Sequence, residues 1–216
     1  MPDFRQIRNQ MRREMVKNCA MTHDLFLALL SFAFVTSVTP GPNNLMLMAS
    51  GVNFGFRLTV PHIFGISLGH GAMVLLVGLG LSGVFQAVPG SQMALKVVSV
   101  AYMLWLAWKI AHAGAPGSGK VRARPMTFWQ AAAFQWVNPK AWAMALGAIS
   151  SYAQGGIGAV LVVCAVFACV NLPSVSVWAL AGEKLRAALS DPRRLALFNW
   201  TMAALLVGSL WPVLKI

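Results

Sequence analysis

The sequence predicts an all-α integral membrane protein: six transmembrane helices forming two inverted three-helix repeats, with helices 1 and 4 broken at proline. Three observations lead there. Of 216 residues, 58% are hydrophobic and only 10% charged, where a soluble domain carries about 25% charged residues. Long stretches contain no Asp, Glu, Lys or Arg: 25–56, 58–95, 97–108, 125–139, 141–182 and 195–214. A spanning helix needs about 20 apolar residues. Finally, Pro-Gly-Pro and Asn-Pro-Lys interrupt two of these stretches at corresponding places in the two halves.

Glycines, prolines and polar clusters divide the stretches into spans near 27–50, 60–84, 93–112, 128–149, 157–180 and 196–214. Backbone groups in hydrocarbon must be paired within the protein, so uniformly apolar runs of this length read as helices, not as an open sheet. Thr59 and Pro61 suggest the start of the second helix, with proline in the first turn where its missing N–H costs nothing. Gly65-x-x-x-Gly69 with Ser67 and Gly71 gives that helix a small face for close packing. Gly114 to Arg124 is a linker by composition. Gly182, followed by Glu183, Lys184 and Arg186, suggests an exit of the fifth helix into the interface. Trp178, Trp200 and Trp211 fall near span ends, where interfacial anchors sit. The six-span unit covers 25–216, behind a basic tail of residues 1–24.

The net charge of +12 does not indicate nucleic acid, because the basic residues sit in a few short loops and form no stripe. The loops after spans 1, 3 and 5 carry nine Lys and Arg, and those after spans 2 and 4 carry none apart from Lys96 at an edge. The positive-inside rule then makes the odd-numbered loops cytoplasmic and both termini periplasmic. Arg5, Arg8, Arg12, Arg13 and Lys17 in the tail oppose this. The favoured resolution is that the tail is an upstream extension and Met21 the working start, the alternative being an inverted or mixed topology. A cleaved signal peptide is disfavoured, since no small-x-small site follows the apolar run. Cys19, Cys164 and Cys169 form no C-x-x-C pair, so neither a zinc ribbon nor a redox motif is expected.

The segment Thr39-Pro40-Gly41-Pro42-Asn43-Asn44 should break the first span, since proline removes a donor and pushes the preceding residue out of helix. Freed backbone groups must then line a cavity or pair inside the protein. Asn138-Pro139-Lys140 lies about ten residues into the fourth span, roughly 15 Å deep at 1.5 Å per residue. Lys140 is the only charge between Pro125 and Gly182. Charges at that depth are costly and mark function unless the side chain snorkels. Halves of three helices each must run in opposite directions, and broken helices at equivalent places of inverted repeats point to a transporter's binding site. The candidate substrate-binding residues are therefore Pro40, Gly41, Pro42, Asn43, Asn44, Asn138, Pro139 and Lys140. Half-helix N-termini would receive a carboxylate, and amide oxygens and freed carbonyls an ammonium. All five acidic residues lie outside the spans or at their edges, which leaves His62 and His70 as the candidates for proton coupling near neutral pH; a packed, hydrogen-bonded histidine is the plainer reading of each. No metal or cofactor is expected.

An embedded enzyme would need a nucleophile with a base or a metal cluster, and no G-x-S-x-G, H-E-x-x-H or buried carboxylate pair is present. An electron carrier would want cysteines beside the helix breaks, and neither break has one.

Thr39-Pro40-Gly41-Pro42-Asn43, Gly51, Gly55, Arg57, Gly65 and Gly69, with Leu95-Lys96, Ala101-Tyr102, Trp108-Lys109 and Asn138-Pro139-Lys140-Ala141, resemble the LysE/RhtB family of amino-acid exporters over roughly residues 21–216. The stretches 55–63 and 134–142 resemble the cysteine and O-acetylserine exporter group within it. The resemblance implies alternating-access efflux of small neutral amino acids or derivatives across the bacterial inner membrane. The partners expected are an amino-acid substrate and the lipid bilayer, with a coupling proton and a second copy of the chain as further candidates that the sequence does not decide. Asn43 stands where many members carry Asp, so carboxylate-based ion coupling at that position is not implied.

Overall fold

The computed structural model describes residues 22–113, 124–154 and 156–211. The tail, except its last three residues, and most of the 114–124 linker lie outside the described residues. Helix α1 (His23–Val38) is capped by Thr22, whose hydroxyl accepts from the Leu25 N–H. It stops because Pro40 forces Thr39 into extended geometry. Pro42 then takes the first position of α2 (Pro42–Phe54), the helical site where a missing N–H is harmless. The two helices are bent by 50° and together are apolar enough to cross a membrane.

Gly55, at φ 84°, turns the chain directly from α2 into α3 (Phe56–Gly78). This is a left-handed conformation that other residues adopt only with strain. The helix thus starts earlier than Thr59 and Pro61 suggest. Glu183 takes the role of cap, accepting from the Phe56 N–H at 3.1 Å, while the Thr59 hydroxyl donates back to the Gly55 carbonyl. Pro61 consequently sits inside the helix. A short 3-10 turn (Leu81–Gly83) and α4 (Val84–Ala87) lead to α5 (Ser91–Ala111).

The second half repeats the broken beginning. Helix α6 (Phe128–Phe134) opens with a capping box between Thr127 and Gln130, then tightens into a 3-10 turn (Gln135–Val137). Asn138 is extended and caps α7 (Pro139–Tyr152), whose first residue is again proline. Helix α8 (Ile157–Arg186) and helix α9 (Pro192–Gly208, capped by Asp191) complete the bundle. Helix α8 runs straight through Gly182, correcting the exit expected there. Gly182 is instead a contact point, since a Cβ on it would strike the Met48 carbonyl, and one on Gly51 the Ala179 carbonyl. Helices α2 and α8 approach backbone to backbone through this reciprocal pair. The small face of α3 packs the same way: a Cβ on Gly65 would lie 2.7 Å from the Ala131 Cβ, and one on Gly69 2.7 Å from the Ala132 Cα.

Helices α3, α5 and α8 are each long and apolar enough to span, and the bent α1–α2 pair makes a fourth candidate. The interrupted α6–α7 segment and the 17-residue α9 fall short of the length of about 20 residues for an uninterrupted span. Bulky apolar side chains cover the outside, among them Leu68, Val97, Leu161 and Leu205, as expected where lipid is the solvent. The all-helical membrane class read from composition is borne out.

Candidate functional site

The α1–α2 break leaves carbonyls at the end of α1 without helical partners, and side chains supply their donors: the Thr39 hydroxyl serves the Thr36 carbonyl, and more distant residues serve the rest. Asn44 Nδ2 donates to the Ser37 and Thr39 carbonyls, both at 2.8 Å. Trp178 Nε1 donates to the Val38 carbonyl at 3.0 Å. Trp178 is therefore a part-buried strut between α8 and the break.

Lys140, the second residue of α7, completes the set. Its Nζ donates to the Thr39 carbonyl at 2.8 Å, the Thr39 hydroxyl at 2.9 Å and the Pro40 carbonyl at 3.4 Å. The ammonium does not snorkel away; it sits at the carbonyl end of α1, where the helix dipole is negative. Its stem crosses Gly41 so closely that a Cβ there would lie 2.7 Å from the Lys140 Cδ. The two breaks, about a hundred residues apart in sequence, are thereby joined by one side chain.

A second bridge lies beside it. Asn43 Nδ2 donates to Gln135 Oε1 at 2.8 Å, and Gln135 Nε2 donates back to Asn43 Oδ1 at 3.1 Å and to the Ala131 carbonyl at 2.9 Å. Each amide uses its donor and its acceptor, so an Asp at position 43 would forfeit half the pair. Asn171 of α8 adds a third link, donating to the Ser37 hydroxyl at 3.3 Å while its Oδ1 accepts from Ser67 at 3.2 Å. Asn138 is 1% exposed and its side chain accepts from the Lys140 N–H.

These groups surround a cavity of about 20 Å³ lined by Ser37, Gly41, Asn43, Asn44, His70, Asn138, Lys140 and Asn171, among others. That is close to the room of one water. Of the residues singled out from sequence, Gly41, Asn43, Asn44, Asn138, Lys140 and His70 meet here. Pro42 and Pro139 start the two half-helices behind the wall. Pro40 lies on a separate apolar groove of about 400 Å³, which Gly41 also touches. His62 is elsewhere, at a different cavity. His70 stands edge-on to Phe167, 5.3 Å between ring centroids, and its Nε2 is buried without a partner.

Gln135, Asn171, Ser37 and Thr39 belong to the site as fully as the predicted residues. Asn171 was detectable, being an amide two residues before Pro173 in a run that is otherwise nearly all apolar. Gln135 could be recognised only through its partner, because nothing in its sequence neighbourhood indicates the reach to Asn43. Among the described residues no cluster of His, Cys, Asp or Glu could hold a metal ion.

Comparison with known proteins gives the family. Residues 34–209 match the family described as LysE type translocator. The chain is 32% identical over 167 residues, covering 76% of this chain and 85% of the relative, to the cysteine/O-acetylserine efflux proteins of Escherichia coli (strain K12) and Shigella sonnei (strain Ss046). The protein of that name from Shigella flexneri matches over the same extent. No solved structure matches at a significant level. The matched residues run from within α1, through both helix breaks and the side chains that join them, to the end of α9: the chain belongs to the LysE type translocator family.

Proposed function

We propose that the chain exports small neutral amino acids or their derivatives, of the cysteine and O-acetylserine kind, across the bacterial inner membrane by alternating access. The observation that carries this reading is the Lys140 ammonium, seated on the Thr39 and Pro40 carbonyls from the opposite broken helix. A part-buried cation held by backbone carbonyls marks a place where a substrate ammonium can sit. The N-terminus of α2, beside Asn43 and Asn44, offers free N–H groups to a carboxylate. The substrate's ammonium would take over the Thr39 and Pro40 carbonyls, releasing Lys140 to meet the carboxylate. At about 20 Å³ the cavity has no room for an amino acid in this conformation, so binding requires the two halves to part.

Six spans in two inverted halves fit this mechanism: α1–α2, α3 and α5, then α6–α7, α8 and α9. The packing pattern supports it. The broken α1–α2 pair packs on α8, and the broken α6–α7 pair packs on α3, while α3 meets α8 and α5 meets α9. Exchanging the halves maps this set of contacts onto itself, as a two-fold axis in the membrane plane requires. In this reading the odd-numbered loops face the cytoplasm. His70, on the cavity wall, is the better placed of the two histidines to couple a proton, and a homodimer is the proposed assembly.

The test is export from cells overexpressing the chain from Met21 and loaded with dipeptides, with extracellular amino acids profiled over time. Selective accumulation of one or a few neutral amino acids, abolished by Asn138→Ala at equal membrane expression, is the expected result. An unchanged profile with verified insertion would overturn the amino-acid assignment.

A further inference from the structure

The central cavity leaves unused a second buried polar group on the same helices. About nine residues further along α2, some 13 Å at 1.5 Å per residue, lies a cavity of about 90 Å³ whose lining includes Ser50, Asn53, His62, Lys109 and Arg124. His62 is 1% exposed, and neither ring nitrogen has a hydrogen-bond partner. Asn53 is 7% exposed; its Nδ2 donates to the Ala49 carbonyl and to Asn199 Oδ1, but its own Oδ1 has no partner. Buried polar groups are normally paired, so unpaired ones in an open cavity call for an occupant. Among the described residues, the charged ones lining it are Lys109 and Arg124, with no carboxylate beside them. Lys109 also rests over the Trp105 ring, Nζ 4.6 Å from its centroid, a cation–π contact.

We propose that this cavity is a loading site that takes a small zwitterionic amino acid at the basic end of the bundle, before it reaches the helix breaks. The carboxylate pairs with Lys109 and Arg124 and accepts from the His62 ring, and the ammonium donates to Asn53 Oδ1. The free volume is several times the 10–15 Å³ or so needed for one water, and larger than that of the central cavity. The inference rests on the reading of the chain as an exporter whose basic end faces the cytoplasm. A phospholipid headgroup shares the anionic part of this chemistry, though it would approach from the lipid side.

The experiment measures binding of radiolabelled L-serine and L-cysteine to the full chain in phosphatidylcholine nanodiscs, in a Lys140→Met background that disables the central cavity. Residual binding should weaken about tenfold, equivalent to 1.4 kcal/mol, in Lys109→Gln/Arg124→Gln and in His62→Leu. The first variant alters only exposed side chains, so it remains decisive if His62→Leu misfolds. Propionate, which lacks the ammonium, should compete poorly. Residual binding that is absent, or indifferent to these substitutions, overturns the proposal. So does loss of serine binding when phosphatidylglycerol is added, which would give the rim to lipid. In proteoliposomes with Lys140 intact, the same substitutions should raise KM for export and leave kcat unchanged. If neither amino acid is exported but the substitution-sensitive binding persists, the export reading fails and with it the loading role, and the cavity stands only as an amino-acid-binding site.

Discussion

Gly41 and Lys140 form a unit that neither residue reveals alone. On its way to the Thr39 and Pro40 carbonyls the lysine stem passes directly over position 41, in space that a side chain there would occupy. Gly41→Ala should therefore push the stem aside and release the ammonium, although φ at this residue is −176° and alanine suits that backbone. The expected outcome is a loss of transport approaching that of Lys140→Met, about tenfold or more if the displaced contacts exceed 1.4 kcal/mol, with little change in expression. Transport rates of the two variants in proteoliposomes check this; a wild-type rate in Gly41→Ala would show that the lysine contact is dispensable. The sequence made the glycine legible as part of a helix break and the lysine as a costly charge. It did not show that they touch, because contact across about a hundred residues is a tertiary fact.

At the level of helices, small residues decide how closely the broken pairs lie against their partners. The Gly65-x-x-x-Gly69 face was legible from spacing and meets α6 as a close contact. Gly182 was misread, because a glycine before three charged residues suggests an ending. Glycine inside a long helix does not end it where the backbone hydrogen bonds continue, and α8 runs on to Arg186. Thr59 and Pro61 misled for a related reason: the helix start is supplied by Gly55 and by Glu183 from α8, so the local capping pattern lost to a tertiary cap. Gly182→Leu should drive α8 off the Met48 carbonyl. Overpacking a tight interface typically costs about 1–3 kcal/mol, and a backbone clash falls at or above the top of that range. The expected result is a lower thermal midpoint in detergent and reduced membrane yield. Gly71→Leu, with nothing within 4 Å of its Cβ position, should behave as wild type.

For the whole molecule, composition and uncharged runs were enough to identify a helical membrane chain, and the two proline breaks were enough to locate the cavity. The number of spans was less legible, because segments broken at Asn138 or as short as α9 are marginal by length. Orientation is a question of charge on loops, and the proposed arrangement makes a definite prediction. In a background free of Cys19, Cys164 and Cys169, a cysteine at Ser118 should react only with membrane-permeant maleimide in intact cells, and one at Gln154 also with an impermeant reagent. The opposite pattern would invert the topology and place the loading cavity on the outer side.

The link between the helix breaks has an electrical consequence. Lys140 belongs to one half of the bundle, and the carbonyls that hold it belong to the other. No carboxylate among the cavity-lining residues accompanies it. If the halves rock, this uncompensated charge moves within the membrane field even when the cargo is a net-neutral zwitterion. One elementary charge crossing the full potential is worth about 2.3 kcal/mol per 100 mV, so a displacement through half of it is worth roughly 1 kcal/mol. The balance between inward- and outward-facing forms would then depend on the cell's membrane voltage, and an energised membrane would bias the resting carrier toward one side before any solute binds.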